Sequence, residues 1–291
     1  MKKYFYGHYF KLQSDKYTIA FIPSYSRVGK KYVASLQVIT NDGSFVIDYD
    51  YSEYKRGKDF EVSIGNNHFR KNGIKLDINR DDIKLSGDIV FGDFNVLKKD
   101  IMGPFRFIPF MECRHQVVSI KQNISGFIYL NGTEYNFNDS YGYIEGDRGR
   151  SFPKVYVWSE ALFNRGSVML SVADIPFGLF HFTGIIGFVN YEGKTNIIGT
   201  YNHAKALKIK DNEVIIKQGK YRLYITLLEK NAFPLCAPNL GKMDRIVKES
   251  AECKVRYKYM KDNDVIFDIT VSNASMEYEY IEKYEFNKLK K

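Results

Sequence analysis

Along most of the chain apolar and polar residues alternate in short runs that end in turn-forming residues, the period-two pattern of strands with one buried face. Val33-Ala-Ser-Leu-Gln-Val-Ile39 and Ile83-Lys-Leu-Ser-Gly-Asp-Ile89 show it plainly. The pattern predicts strands over 17–22, 32–40, 44–51, 60–64, 74–78, 83–91, 117–120 and 126–130 in the first half of the chain. In the second half it predicts them over 155–161, 167–173, 184–190, 194–201, 205–209, 213–217, 221–228, 255–259 and 265–271. Asn41-Asp42-Gly43 and Asn131-Gly132 read as hairpin turns, because these residues reach positive φ at little cost. A loop is expected over 92–109. One short helix is expected over 243–250, where Met243, Ile246 and Val247 fall at helical spacing, followed by a charged tail over 278–291, helical or frayed.

Two series of these runs resemble each other in order. Tyr17-Thr-Ile-Ala-Phe-Ile-Pro23, the turn at Asp42-Gly43 and the segment 73–85 parallel Leu170-Ser-Val-Ala-Asp-Ile-Pro176, the turn at Glu192-Gly193 and the segment 206–216. The repeat is far longer than a solenoid unit. It predicts an all-β protein with an internal duplication: two similar antiparallel barrel or sandwich domains, 1–140 and 141–291.

Between the halves stands a different stretch, Tyr141-Gly-Tyr-Ile-Glu-Gly-Asp-Arg-Gly-Arg-Ser-Phe-Pro-Lys154. Carboxylates, guanidinium groups and glycines crowd together there, so it reads as a polar interruption at the junction, either a site or a pinned turn.

Composition agrees with strands: 23 Tyr and 22 Phe favour a pleated, half-buried surface. The net charge of +9 raises nucleic acid or an anionic membrane as partners. Lysines are spread along the chain and cluster only at Lys2-Lys3 and near Lys288–Lys291, with no nucleic-acid-binding motif, so nucleic acid is excluded. Peripheral membrane contact is the lesser alternative that the basic ends and tyrosines leave open. Cys113, Cys236 and Cys253 are too widely spaced for a disulfide framework or a metal knuckle, which with the absence of a signal-like or membrane-spanning apolar run suggests a cytoplasmic protein.

At Gly142-Tyr-Ile-Glu-Gly-Asp-Arg-Gly-Arg-Ser-Phe-Pro153 the chain resembles the tocopherol cyclase-like family, whose signature runs approximately Gly-Tyr-Ile-Glu-Lys-Asp-Trp-Gly-x-Ser-Phe-Pro. Gly65-Asn-Asn-His-Phe69, Ile101-Met-Gly-Pro104, Phe107-Ile-Pro-Phe-Met-Glu-Cys113, Thr183-Gly184, Gly187-Phe188, Thr200-Tyr201 and Ala204-Lys205 extend the resemblance over nearly the whole chain. It implies a pair of lipocalin-like domains, a fold similar to that of carotenoid hydratases and decalin-forming pericyclases. It also implies an apolar, isoprenoid or polyketide-like ligand in or between the barrels, and acid-catalysed cyclase, hydratase or isomerase activity. The chain departs from the signature at Gly146, where the family has Lys, and at Arg148, where it has Trp. Val157-Trp158-Ser159-Glu160-Ala161 likewise replaces a more polar set. These departures favour the alternative of a non-enzymatic lipid carrier or sensor.

Protonating an alkene needs an acid kept neutral, and burial among aromatics supplies one by disfavouring the charged carboxylate. Asp147 is the first candidate acid and Glu145 the second. Opposed to this is a carboxylate–guanidinium pin, in which Arg148 or Arg150 holds the carboxylate ionised. Tyr143, Phe152, Tyr156 and Trp158 are candidate pocket walls or simply core; Arg148, Glu112 and His115 complete the candidate ligand-binding set. No metal set is expected, since His181 and His203 have no acidic or cysteine partners at ligand spacing. No Gly-x-Ser-x-Gly elbow is present, Cys113 sits in an apolar setting that makes it inert, and no phosphate-binding glycine loop opens a helix, so no nucleotide cofactor is expected.

Overall fold

A computed structural model describes residues 2–109, 111–177, 180–210 and 212–279. The first half builds strands β1 (Lys3–Gln13), β2 (Thr18–Val28), β3 (Lys31–Ile39), β4 (Ser44–Tyr49), β5 (Tyr54–Arg56), β6 (Val62–Ile64), β7 (Asn67–Arg70), β8 (Gly73–Asn79), β9 (Lys84–Phe91), β10 (Cys113–Leu130), β11 (Thr133–Asn136) and β12 (Ser140–Gly149). These form one antiparallel sheet in the order β4-β3-β2-β1-β12-β10-β9-β8-β7-β6-β5, with β11 beside β10. The second half builds β13 (Tyr156–Phe163), β14 (Gly166–Phe177), β15 (Phe180–Tyr191), β16 (Lys194–Gly199), β17 (Lys205–Lys210), β18 (Glu213–Gln218), β19 (Tyr221–Glu229), β20 (Phe233–Asn239), β21 (Lys242–Lys261) and β22 (Asp264–Glu279). Their order is β16-β15-β14-β13-β22-β21-β19-β18-β17, with β20 beside β21.

The chain divides into two compact units, one of Met1–Lys98, Met111–Phe152 and Leu235–Ile246, the other of Lys99–Phe110, Pro153–Pro234 and Val247–Lys291. In the first unit the sheet curls until β3 and β6 approach each other around a core of Phe10, Phe21, Leu36, Ile64, Phe69, Ile128 and Ile144. Curling buries one face of every strand, and that is why the alternation was so regular: β8 reads half-buried, buried, exposed, buried along its length. Strand β20 from Leu235 onward belongs to this unit and is held by reciprocal bonds, with Gln37 Nε2 donating to the Cys236 carbonyl at 3.0 Å and the Cys236 N–H donating to Gln37 Oε1 at 2.9 Å. The second unit wraps its own core of Val168, Leu170, Val189, Val214, Leu223, Val255, Tyr257 and Met276.

The duplication is visible in the strand orders. In each sheet four strands meander outward from the first strand, and the unit's last strand pairs with the first strand's other edge, so β1 and β12 correspond to β13 and β22. The repeat pairs β2 with β14 and the β3–β4 turn with the β15–β16 turn, as read. The third parallel slips by one strand, because counting back from β12 and β22 aligns β8 with β18 rather than with β17. Successive strands share one alternation, so pattern alone does not fix which is which.

Two expectations are corrected, and one strand is added. The short helix over 243–250 is strand β21; Glu249 and Ser250 pair with Glu277 and Met276 of β22, and a ladder outweighs three residues at helical spacing. The stretch opening at Tyr141 is no junction turn: through Gly149 it is β12, paired on one side with β1 and on the other with β10, so 141–152 belongs with the first sheet's unit. Strand β1 was not predicted at all. The tail beyond Glu279 lies outside the described residues. No helix among the described residues is long and apolar enough to cross a membrane.

Candidate functional site

As a central strand, β12 has two faces, and period-two alternation sorts its residues between them. Ile144 points into the apolar core, and with it go Gly142, Gly146 and Arg148. Tyr143, Glu145 and Asp147 point to the other face. That face is also buried: Tyr143 is 0 % exposed and Glu145 5 %. Its neighbours follow from the register. On β1, Lys11 stands opposite Tyr143 and Tyr9 opposite Glu145; on β10, His115 stands opposite Asp147.

His115 brings the two carboxylates together. Its Nδ1 lies 3.1 Å from Asp147 Oδ1 and its Nε2 lies 3.2 Å from Glu145 Oε2, with the His115 side chain only 9 % exposed. The first contact is an aligned hydrogen bond; the second is a close charge contact without the alignment of one. The Tyr143 hydroxyl donates to the same Glu145 oxygen at 2.6 Å, and the Cys113 thiol donates to Asp147 Oδ1 at 3.1 Å. Four side chains thus form a continuous chain, Tyr143–Glu145–His115–Asp147, with Cys113 attached at its end.

Burial alone would lower the His115 pKa, but Glu145 and then Asp147 overcome it and hold the imidazole well above its ordinary 6.5. At neutral pH the ring is an imidazolium shared between two carboxylates. Burial, reinforced by Asp147, pushes the Cys113 thiol well above 9, so it stays protonated and is no nucleophile. The ligand atoms of His115, Glu145 and Asp147 lie within 4.8 Å of one another, a donor set that a divalent cation can use. As placed, each ring nitrogen already faces a carboxylate, so the arrangement is a proton bridge whose proton a cation would have to replace.

Arg148 does not pin Asp147. It is exposed and points to the opposite face of β12, and Arg150 lies beyond the strand's end. Phe152 packs edge-on against Phe5 at 5.5 Å in the first unit, and the Glu112 carbonyl accepts from the Arg150 N–H at 2.7 Å. Tyr156 and Trp158 belong to the second unit, where both are buried and Tyr156 donates to Glu277. His181, read as lacking an acidic partner, meets Asp174 at 2.8 Å across the β14–β15 ladder. Because β1 was missed, so were Lys11 and His8. Gly146 is explained by the latter: a Cβ there would stand 2.3 Å from the His8 ring, so only glycine fits beneath it.

No protein-family model and no curated protein matches the chain. Solved structures do. A protein designated AttH from Nitrosomonas europaea shares 11% identity and a TM-score of 0.54 over 97% of this chain and 93% of its own. Kievitone hydratase from Nectria haematococca shares 9% and 0.55 over 96% and 89%. CghA in complex with Sch210972 shares 8% and 0.59 over 97% and 90%. At such identities the likeness is one of fold, and this chain is therefore lipocalin-like along nearly its whole length.

Proposed function

We propose that this protein belongs with the tocopherol cyclase-like proteins, binds an apolar isoprenoid or polyketide-like molecule, and moves a proton on it as a hydratase, isomerase or cyclase. The observation that carries the reading is the buried chain Tyr143–Glu145–His115–Asp147. A hydratase among the proteins of similar fold supports the reaction class.

The geometry favours some members of that class over others. Protonating an isolated alkene demands a strong acid, whereas an imidazolium stabilised by two carboxylates holds its proton tightly. Such a relay is suited to taking a proton at one point of a conjugated substrate and returning it at another, which is the work of hydratases and isomerases. Asp147 orients and charges the ring, His115 carries the proton, and Glu145, held by Tyr143, exchanges it with the substrate. The roles assigned to Asp147 and Glu145 as independent acids merge into one unit.

Organic extraction of the purified protein, followed by mass spectrometry, should release a hydrophobic molecule. Incubating that molecule with the protein in D2O should place solvent deuterium in the product, and Glu145→Gln should slow incorporation by about 10²–10⁴-fold with binding retained. Retained ligand with no deuterium incorporated would establish the carrier or sensor reading instead. Absence of any hydrophobe would sink both.

A further inference from the structure

The opposite face of β12 carries a different cluster, which the proton relay does not use. Register places Tyr25 of β2, Tyr6 of β1, Arg148 of β12 and Arg114 of β10 side by side in one row on the inward face of the first sheet. The Arg56 guanidinium stands over the Tyr6 ring at 4.1 Å. Neither Arg56 nor Arg148 makes an ion pair with a carboxylate among the described residues, although cross-strand neighbours of like charge, here Arg148 and Arg114, repel. Just beneath this row lies His8, 3 % exposed, its ring edge-on to Tyr6 at 5.0 Å and to Phe60 at 6.1 Å. Among the described residues its Nδ1 has no hydrogen-bond partner, and neither has the buried Tyr54 hydroxyl.

Each feature is costly in isolation. Buried polar atoms without partners forfeit the hydrogen bonds they make in water, and clustered cations gain from a counter-charge. Aromatic walls, two forked cations and two unsatisfied polar atoms together describe the complement of one kind of molecule. We propose that the inward face of the first sheet, around Tyr6, His8, Tyr54, Arg56 and Arg148, is a second binding site that takes a small planar anion, an aromatic or conjugated carboxylate. The guanidinium groups grip its charge, the tyrosines and Phe60 stack on its body, and His8 Nδ1 and the Tyr54 hydroxyl meet its polar substituents. The site is separate from the relay, since Arg148 and Asp147 lie on opposite faces of the same strand.

Calorimetric titration with 1-anilinonaphthalene-8-sulfonate, an aromatic anion, and with uncharged N-phenyl-1-naphthylamine tests it. The sulfonate should bind at least tenfold tighter, and Arg56→Gln with Arg148→Gln should remove that preference while Arg165→Gln in the second unit leaves it intact. In imidazole ¹⁵N–¹H spectra the sulfonate should shift the His8 signals, identified by their loss in His8→Phe, and leave those of His115 in place. Equal affinity for the two probes, an unaffected double variant, or a sulfonate that leaves His8 unmoved would each overturn the proposal. Glu145→Gln should not alter sulfonate binding, so this outcome is independent of the relay's.

Discussion

The two units solve the same problem with different chemistry. In the second, the Tyr156 hydroxyl of β13 donates to the Glu277 carboxylate of β22, and both side chains are buried. In the first, Tyr143 donates to Glu145 within a single strand, β12, the counterpart of β22. A buried phenol–carboxylate pair is therefore common to both copies of the fold, and by itself it is a staple that satisfies a buried acid. Only the first unit adds His115 from β10 and Asp147 two residues along β12. The contrast locates what is chemical in this protein: the scaffold supplies the staple, and an imidazole between two carboxylates turns it into a relay.

Removing that imidazole should have the largest effect. His115→Ala leaves buried Glu145 and half-buried Asp147 side by side without their cation, and removing the partner of a buried charge typically costs about 3–5 kcal/mol at neutral pH. Urea unfolding measures it. The sign with pH follows from the raised pKa of His115: the stability it confers is complete below about 6.5, the unfolded value, and is lost as pH climbs through the much higher folded value. The gap between wild type and variant should hold through neutral pH and close as pH climbs through the raised folded value. A gap below 1 kcal/mol at pH 7 would mean the ring carries no charge there.

A second histidine of the first unit, His8, should behave oppositely. Burial, opposed in part by Asp147, lowers the His8 pKa to about 4. The unfolded chain takes up this proton near 6.5 and the folded one only near 4, so folding loses stability as pH falls through that window, by roughly 3 kcal/mol in all. His8→Phe, which keeps a ring over Gly146, should flatten that part of the stability profile between pH 7 and 4. Parallel profiles for the two proteins would refute it.

In the second unit, Glu277→Gln should cost only about 1 kcal/mol, because the amide oxygen still accepts from Tyr156 and only the charge of the bond is lost. It should leave any turnover unchanged. Glu145→Gln removes one of the two carboxylates that hold His115 and should cost more. Equal costs for the two would erase the distinction between staple and relay.

What the sequence revealed and concealed follows from where each signal lives. Alternation is local, so strands such as β3, β8, β9 and β19 were legible, and so was the duplicated order. β12 was not, because it buries both faces: Tyr143, Glu145 and Asp147 interleave with Ile144, Gly146 and Arg148, so polar residues occur on either side of the alternation and the strand reads as an interruption. Glu145, Asp147 and His115 could be named as candidates, but their meeting could not. Asp147 and His115 are joined by a register set across two irregularities in the β10–β12 ladder, and nothing in the spacing encodes that. Arginine was the expected partner because it is adjacent in sequence, yet adjacent residues on a strand face opposite ways, and the partner had to come from a neighbouring strand.

The smallest effect tests that meeting most directly. Cys113 reports on Asp147 through a 3.1 Å hydrogen bond, and its thiol is held well above 9 by burial and by that carboxylate. Cys113 and Cys236 are both half-buried, but only Cys113 faces Asp147, so in the native protein at pH 8 iodoacetamide should label Cys236 before Cys113. Cys113→Ser should shift stability by less than about 1 kcal/mol, since a hydroxyl of similar reach keeps the donor. Asp147→Asn should then speed alkylation of Cys113 specifically, because the negative charge that disfavours the thiolate is gone while burial stays the same. If Cys113 stays as slow in Asp147→Asn as in wild type, its inertness comes from burial alone. Asp147 would then carry no effective charge at the end of the relay, and the first unit would hold a staple like the second's.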